Sequence, residues 1–254
     1  RRRHKTVYFG MVFCICVQNN AEFKDLPPVF KYRYVFGGNQ VKDQNYEAAM
    51  FQDLGSSPAT VAASKAADFI GCLPTNALQQ ADAEQAYVQA PLKGPETWVT
   101  LPKEHWPLEW HALGLERPVV RLKLALYGHP DSGTFWEEHC DHHCRQAGFH
   151  PVTDWPSTYF HPEWRILLVI YVDDFKMAGP KAKVKEAWRR IRADDPSAGI
   201  VMSDPEPATR FLDCDHQVKE TVINGKTVKL MTYSNQEFMS QCVDAYCERA
   251  GIKR

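Results

Sequence analysis

The stretch that decides the fold is Ile166-Leu167-Leu168-Val169-Ile170-Tyr171-Val172-Asp173-Asp174-Phe175-Lys176-Met177-Ala178-Gly179. An unbroken aliphatic run leads into two adjacent aspartates, and a second apolar run follows them. Segments this rich in β-branched and aliphatic side chains predict buried strands. Two ionised carboxylates are costly to bury without a counter-charge, so one interpretation is a hairpin that turns them toward a magnesium ion. The alternative is a plain Asp-Asp turn at a hairpin tip, which a motif this short favours when taken alone.

Two other segments change that balance. The first reads Gln80-Ala81-Asp82-Ala83-Glu84-Gln85-Ala86-Tyr87, in which an aspartate ends a predicted strand and an aromatic residue follows it. The second reads Arg121-Leu122-Lys123-Leu124-Ala125-Leu126-Tyr127-Gly128-His129-Pro130. In this order and at this spacing, the three segments together resemble the first metal-binding motif, the Leu-Tyr-Gly motif and the catalytic hairpin of copia-type retrotransposon reverse transcriptases. The resemblance runs from about Lys31 to the C-terminus.

The resemblance implies a fold and a domain organisation. The expected class is α+β with a right-hand polymerase fold, in which helices back an antiparallel palm sheet and the N-terminal half supplies the fingers. Residues 31–254 would form the reverse transcriptase domain, and residues 1–30 are left unassigned. No connection or ribonuclease H segment is expected. Because the first residue is Arg, we expect a fragment of a Pol polyprotein.

The resemblance also implies an activity, RNA-directed DNA polymerisation, in which deoxynucleotides are added to a primer 3′-hydroxyl by two-metal phosphoryl transfer. The expected catalytic and metal-binding residues are Asp82 and Asp173, with Asp174 at the edge of the site. Side chains expected at the incoming nucleotide are Lys31, Arg33, Tyr87 and Gly128. Those expected near the primer are Tyr171, Phe211 and Leu212.

Two positions depart from the family pattern. Gly37 stands where the pattern has a second arginine beyond Lys31 and Arg33, and Asp213 replaces the glycine of the primer-grip turn. The first change removes a cation from the triphosphate contact. The second places a negative charge where the family brings the primer backbone close.

The implied cofactor is magnesium, as two ions, with manganese as a substitute. The implied partners are an RNA or DNA template with its primer and deoxynucleoside triphosphates, together with other Pol-derived segments. No membrane partner is expected. A basic start, Arg1-Arg2-Arg3-His4-Lys5, followed by an apolar run to Val17 mimics a signal peptide. The run is too short to span a bilayer and lacks a cleavage site, so we predict a buried strand.

Composition limits the class without naming a function. A chain of 254 residues with 44% hydrophobic and 24% charged residues is typical of a globular protein with one large domain or two subdomains. The formal net charge of −1 gives no global basic field, so nucleic acid would need a local basic groove. The eight cysteines are scattered, which favours reduced thiols in an intracellular protein, cytoplasmic or nuclear, over a disulfide scaffold.

Local patterns predict helices and hairpins. Ser56-Ser57-Pro58 predicts the start of a helix that ends near Cys72, with its apolar face formed by Ala62, Ala66, Phe69 and Ile70. Residues 133–147 predict a second helix, and residues 180–195 a third with a solvated basic face. Asn224-Gly225 predicts a type I′ hairpin. Ser234-Asn235-Gln236-Glu237 predicts a capping box that opens a last helix.

Other functions remain open at this stage. The chain could be a non-catalytic remnant of a retroelement that binds RNA or a protein partner, which the departures at Gly37 and Asp213 favour. It could also be a zinc-binding interaction module, since His139-Cys140-Asp141-His142-His143-Cys144 places ligand types one turn apart. A closed zinc site needs four ligands, so core packing of Cys140 and Cys144 is the preferred interpretation of that helix.

Overall fold

The structure is a computed structural model that describes residues 6–19, 27–51, 56–212 and 214–253. The basic start at residues 1–5 and the departure at Asp213 lie outside the described residues. The chain divides into two compact units, Arg1–Ser56 with Gln85–Cys140 and Ser57–Glu84 with Asp141–Arg254. Helices and mainly antiparallel sheets make up both, so the α+β class is confirmed.

The first unit is built on a four-stranded sheet. Its strands are β1 (Val7–Asn19), β2 (Val29–Phe36), β4 (Glu96–Thr100) and β5 (Val119–Arg121), in the order β2-β1-β4-β5. β1 is antiparallel to β2 and parallel to β4. Val12, Phe36, Val41 and Val99 form its core. The short helix α2 (Leu108–Ala112) lies in the connection that follows β4.

The predicted strand before Val17 is present, but its expected burial is wrong. Within β1, Val12 is the buried residue, while Met11, Phe13, Ile15 and Val17 are exposed. The reason is register: β1 extends past β4, which covers Val7–Met11 alone, and the rest of β1 pairs with β2 as a two-stranded ribbon.

The second unit is built on a six-stranded antiparallel sheet. Its strands are β3 (Asn76–Asp82), β6 (His150–Pro151), β7 (Thr158–His161), β8 (Ile166–Tyr171), β9 (Asp174–Pro180) and β10 (Glu206–Pro207), in the order β10-β3-β9-β8-β7-β6. The apolar runs of the deciding stretch are the central strands β8 and β9, and both are largely buried. The predicted strands around Asp173 and Asp174 are therefore confirmed.

Two helices cover opposite faces of this sheet. Helix α1 (Val61–Cys72) packs Ala63 and Ala67 on Leu167, Val169 and Ala178, with Leu78 beside them. Helix α4 (Lys181–Ile191) buries Trp188, whose indole N–H donates a hydrogen bond of 3.1 Å to Gln79 Oε1. Neighbouring strand residues point to opposite faces, so Leu78 and Gln79 place α1 and α4 on opposite sides. The basic residues of α4 are exposed, as predicted.

The predicted start of α1 is wrong, and its predicted face is right only in part, since Ala66 and Ile70 pack against the core and Phe69 does not. The helix begins at Val61, and the Thr60 hydroxyl caps it by accepting a hydrogen bond of 3.1 Å from the Ala63 N–H. Its buried face carries Ala63, Ser64, Ala67, Asp68 and Gly71, while Phe69 is 68% exposed. Small side chains allow close packing on the sheet, and the polar pair is buried because it meets a lysine described below.

The helix α3 (Ser132–Gln146) bears out the packing interpretation of its cysteines. Cys140 and Cys144 are 2% and 0% exposed and share a buried stripe with Trp136. Burial raises the pKa of the Cys144 thiol well above its usual range, with a smaller contribution from Asp141. This cysteine therefore behaves as a small apolar residue.

A three-stranded sheet and a last helix complete the second unit. The strands are β11 (Arg210–Phe211), β12 (Cys214–Ile223) and β13 (Lys226–Ser234). Asn224 and Gly225 both have positive φ, at 51° and 74°, which confirms the type I′ hairpin. Helix α5 (Gln236–Ala250) confirms the predicted last helix, and the Ser234 hydroxyl accepts the Gln236 N–H over 3.3 Å, while Asn235 makes no side-chain cap. None of the helices in the described residues has the length and apolarity needed to cross a membrane.

Candidate functional site

The central feature of the site is a pair of carboxylates on adjacent strands. Asp82 ends β3, Asp174 begins β9, and the two are direct partners in the antiparallel register. Directly opposed residues have Cα atoms about 4.5–5.5 Å apart and side chains on the same face. The Ala83 N–H donates a hydrogen bond of 2.8 Å to the Asp173 carbonyl. The pairing thus brings all three predicted aspartates to one end of the sheet.

The turn that presents Asp173 is strained. Tyr171 and Asp174 are paired, so Val172 and Asp173 alone connect β8 to β9. Val172 has a φ of 57°, which is a genuine outlier for a β-branched residue. Strain of this kind persists where the surrounding structure fixes it, and such positions cluster at active sites. Here the buried strands β8 and β9 fix it from both sides.

A further segment, residues 200–204, fixes Asp82 from its other side. The Asp82 N–H donates to Ser203 Oγ over 3.0 Å, and the Ser203 N–H donates to the Asp82 carbonyl over 2.9 Å. The backbone two residues after Asp82 is fixed as well, because the Glu84 N–H donates a hydrogen bond of 3.0 Å to the Val201 carbonyl. Sequence reasoning missed Ser203, since no local pattern predicts which strand an isolated bridge will join.

Asp82 and Asp174 open into a cavity of about 310 Å³. Its lining also includes Ser203, Asp204, Glu206, Arg210 and Phe211. Asp82 is exposed and Asp174 is half-buried, so both carboxylates are accessible from the cavity. Four carboxylates against one guanidinium make the lining acidic, and an acidic cleft concentrates cations.

The donor set fits magnesium in one specific way. Within the described ranges, no group of three or more His, Cys, Asp or Glu residues is arranged to hold a metal ion by itself. Magnesium rarely uses such all-protein cages, and is usually held by one or two carboxylates together with substrate phosphates. The opposed Asp82 and Asp174 are two carboxylates that open into the same cavity, and Asp173 lies at the adjoining turn.

Behind the carboxylates lies a buried polar network that sequence reasoning missed. Lys176 is two residues after Asp174 on β9 and is 0% exposed. Its ammonium donates hydrogen bonds of 2.8 Å to Ser64 Oγ and to Asp68 Oδ1. The other carboxylate oxygen, Asp68 Oδ2, accepts a bond of 3.0 Å from the Tyr233 hydroxyl. The network thus joins β9, α1 and β13.

Two rings close this network. The Lys176 ammonium lies 4.1 Å from the centroid of the Phe211 ring. His216 is edge-on to Tyr233 at 5.0 Å, and its Nδ1 lies 3.8 Å from Asp68 Oδ1. Burial lowers the pKa of Lys176, and Asp68 offsets part of that effect. Burial and the nearby Lys176 also lower the pKa of His216, so this histidine is neutral at pH 7.

One signal could have revealed the network. Lys176 is the single charged residue within the apolar run that follows Asp174, and Ser64 and Asp68 share a helix face at spacing i, i+4. A lysine in a buried strand requires a carboxylate partner. The sequence does not say which carboxylate that is, because the partner lies more than a hundred residues away.

The residues predicted at the nucleotide lie in the first unit. There the Tyr127 ring contacts both Arg33 and Tyr87. The Arg33 guanidinium lies over the Tyr127 ring, 5.7 Å from its centroid. Tyr87 contacts the same ring edge-on at 4.8 Å. Lys31 and Arg33 are both exposed on β2, so their charges face solvent. Tyr87 is half-buried, and this partial burial fits both a packing role in the first unit and the expected contact with the nucleotide.

Gly128 has a backbone reason to be glycine. Its φ is +85°, and a Cβ at this position would lie 2.3 Å from the Phe36 carbonyl oxygen. The Phe36 N–H donates a hydrogen bond of 2.7 Å to the Tyr127 carbonyl. Gly128 therefore lets this segment lie directly against β2, next to the end that carries Arg33. Gly37, where a second cation was expected, is buried and donates its N–H to the Met11 carbonyl over 2.8 Å.

The residues predicted near the primer lie in the second unit. Tyr171 is exposed beside the strained turn. Phe211 is 5% exposed and packs under Lys176, while one side of it lines the cavity. Leu212 has a φ of 52°, which marks a tight turn after β11. Phe211 is thus fixed by the buried network rather than standing free at the surface.

Comparison with known proteins gives no family assignment: the chain matches no protein-family model, and no curated protein matches it.

Proposed function

We propose that this chain is the polymerase domain of a copia-type reverse transcriptase, which adds deoxynucleotides to the 3′-hydroxyl of a primer paired with an RNA or DNA template. One observation carries the proposal. Asp82 and Asp174 are direct partners at the end of two strands, and Asp173 adjoins them in a strained two-residue turn. Two of the three sequence segments that resemble the family supply these residues, and the third segment lies between them as it does in the family.

Two magnesium ions bound to Asp82, Asp173 and Asp174, with manganese as a substitute, would activate the primer hydroxyl and neutralise charge on the triphosphate. The chain's own contribution is to hold the carboxylates before substrate arrives. Hydrogen bonds from both neighbouring segments fix the backbone of Asp82. Preorganised charges of this kind need no rearrangement during the reaction.

The proposal assigns the triphosphate to Lys31 and Arg33, whose exposed cations suit phosphate oxygens. Tyr87 is assigned to the sugar of the incoming nucleotide, and Gly128 to the close backbone packing that supports Arg33. The fold assigned is the right-hand polymerase, with β3, β8 and β9 as the palm strands. The assigned setting is an intracellular one, cytoplasmic or nuclear, together with other Pol-derived segments.

The test is primer extension on an RNA template with magnesium as the divalent ion. We expect the parent protein to extend the primer, and Asp82→Asn and Asp173→Asn each to reduce incorporation at least about a hundredfold, equivalent to about 3 kcal/mol. Asp174→Asn tests the residue that the cavity geometry favours. Asp194→Asn is the matched control, because Asp194 is an exposed aspartate outside the site.

Circular dichroism of each variant establishes that it is folded. If folded Asp82→Asn or Asp173→Asn keeps incorporation within about threefold of the parent, that residue is not a metal ligand. If the folded parent binds primer–template without extending it, the polymerase proposal is wrong, and the protein is a retroelement remnant that binds nucleic acid.

A further inference from the structure

Three side chains, those of Cys14, Tyr32 and Tyr34, converge on the imidazole of His105. The Cys14 sulfur lies 3.5 Å from His105 Nε2. The Tyr32 hydroxyl lies 3.3 Å from the same nitrogen, and the Tyr34 hydroxyl lies 3.4 Å from His105 Nδ1. A thiol, an imidazole and two phenols therefore form one polar cluster, which we call the Cys14 cluster.

The fold places this cluster on one face of the β1–β2 ribbon. Cys14 is paired with Tyr34, and Cys16 with Tyr32, so these four residues share a face. The two tyrosine rings meet edge-on at 5.7 Å. His105 ends a short 3-10 turn that follows β4, and its ring meets Tyr34 edge-on at 5.3 Å.

The cluster has the arrangement of an activated thiol. In the tautomer whose Nδ1–H donates to the Tyr34 oxygen, His105 Nε2 accepts the proton of the Cys14 thiol. The base is then oriented by a third group, which is the general pattern of an activated nucleophile. After proton transfer, the Nε2–H donates to the thiolate, and a thiolate beside a protonated histidine is the reactive form.

Tyr32 adds a second donor. Its hydrogen bond with Cys14 is the main reason that the pKa of Tyr32 is raised to about 12. The phenol therefore keeps its proton at neutral pH and can donate to the thiolate. The charged or titratable groups that face this hydroxyl are His105, Cys14, Tyr34 and Glu104, and Glu104 is the one that opposes a thiolate.

We propose that Cys14 is a modification site that takes a low-molecular-weight disulfide, with His105 as its base. The thiolate attacks one sulfur of the disulfide, a new sulfur–sulfur bond forms to Cys14, and the old one breaks. Cys14 is oxidised, the departing half is reduced, and the proton held by His105 passes to the departing thiolate. This site is independent of the proposed polymerase activity.

Solvent exposure alone predicts that Cys16 is more reactive than Cys14, which is the opposite of what the proposal predicts. Both cysteines lie on β1, so the two can be compared within one strand. Cys16 is exposed, whereas Cys14 is partly buried. If access alone governs reactivity, Cys16 reacts faster. If the Cys14 cluster activates its thiol, Cys14 reacts faster although it is the less accessible of the two.

The experiment treats the full chain with oxidised glutathione at pH 7 and locates the adduct by tandem mass spectrometry. We expect Cys14 to react at least about tenfold faster than Cys16, because His105 is placed to accept the thiol proton. His105→Gln should reduce the rate at Cys14 to that at Cys16. Tyr34→Phe keeps the ring but removes the oxygen that orients His105, so it should give a partial loss. Cys16→Ser is the control and should leave Cys14 unchanged.

Iodoacetamide alkylation from pH 6 to pH 9 provides a second measurement. The Cys14 rate should change less with pH than the Cys16 rate, because His105 accepts the proton of the Cys14 thiol and Cys16 has no such base assigned to it. Equal rates at the two cysteines in the folded parent would overturn the proposal. So would an unchanged Cys14 rate in His105→Gln with parental circular dichroism.

Discussion

At the scale of single residues, Lys176 decides how rigidly the candidate site is held. Its ammonium is fully buried and bonded to Ser64 and Asp68. Removing one partner of a buried ion pair leaves an uncompensated charge, which typically costs about 3–5 kcal/mol. We therefore expect Lys176→Met to lower the free energy of unfolding by about that amount, measured by urea denaturation. The exposed Lys185 is the control, and Lys185→Met should change it by less than about 0.5 kcal/mol.

A double variant separates charge from packing. If the loss in Lys176→Met comes from the stranded Asp68 carboxylate, combining it with Asp68→Leu should restore part of the stability. If the two losses simply add, the pair is not coupled, and the network described above does not hold α1 against β9.

At the scale of secondary structure elements, the start of α1 provides a direct test. The Thr60 hydroxyl accepts the Ala63 N–H, whereas the sequence pattern placed the cap at Ser56 or Ser57. Loss of an N-cap costs about 1 kcal/mol. We expect Thr60→Ala to lower the free energy of unfolding by that amount and Ser57→Ala to leave it nearly unchanged. The reverse result would restore the sequence-based start of the helix.

Helix α1 also shows why local sequence patterns could not predict every feature of the structure. The strands β8 and β9 could be predicted because apolar runs flank Asp173 and Asp174, whereas β3, which contains Gln79 and Gln80, was expected from the resemblance around Asp82. The buried face of α1 could not, because it uses Ala63 and Ala67 for close packing and Asp68 for an ion pair. That choice depends on Lys176, which is distant in the chain. Local hydrophobicity therefore pointed to Phe69, which is exposed.

The residues of the candidate site also fall into those that a local sequence pattern predicts and those that it does not. The three aspartates could be predicted, since the end of a strand and a hairpin turn are local features. Ser203 and the partners of Lys176 could not, because each is defined by a contact with a segment distant in the chain. The polymerase function itself stays a prediction until primer extension is measured.

At the scale of the whole molecule, buried histidines should make stability depend on pH. Burial lowers the pKa of His129 from 6.5 to about 4, and the pKa values of His143, His161 and His216 are lowered too. Below pH 6.5 the unfolded chain binds protons that the folded chain does not, so the free energy of unfolding falls as pH falls. For His129 alone the loss between pH 7 and pH 5 is about 2 kcal/mol.

The surroundings of His129 explain why its pKa is lowered, and a substitution at this position tests the predicted pH dependence. His129 packs between Phe36 and Phe51, and its Nδ1 accepts the Asp131 N–H over 3.2 Å. His129→Gln should remove about 2 kcal/mol of that pH dependence, measured by urea denaturation at pH 7 and pH 5. His150→Gln, at an exposed histidine, should leave it intact. A pH dependence that survives His129→Gln unchanged would contradict the assignment.

The pairing of β3 with β9 also determines when the carboxylate pair can exist. Asp82 is synthesised before its partner, and the chain from 83 to 173 must follow before Asp174 can take its place opposite it. A ribosome adds roughly 5–20 residues each second, so Asp82 waits several seconds for its partner. During that time the edge of β3 that β9 will cover has no strand to pair with, and unpaired edges invite association with other chains. The candidate site is therefore assembled only after residue 174 has been synthesised, and β3 needs protection until β9 emerges.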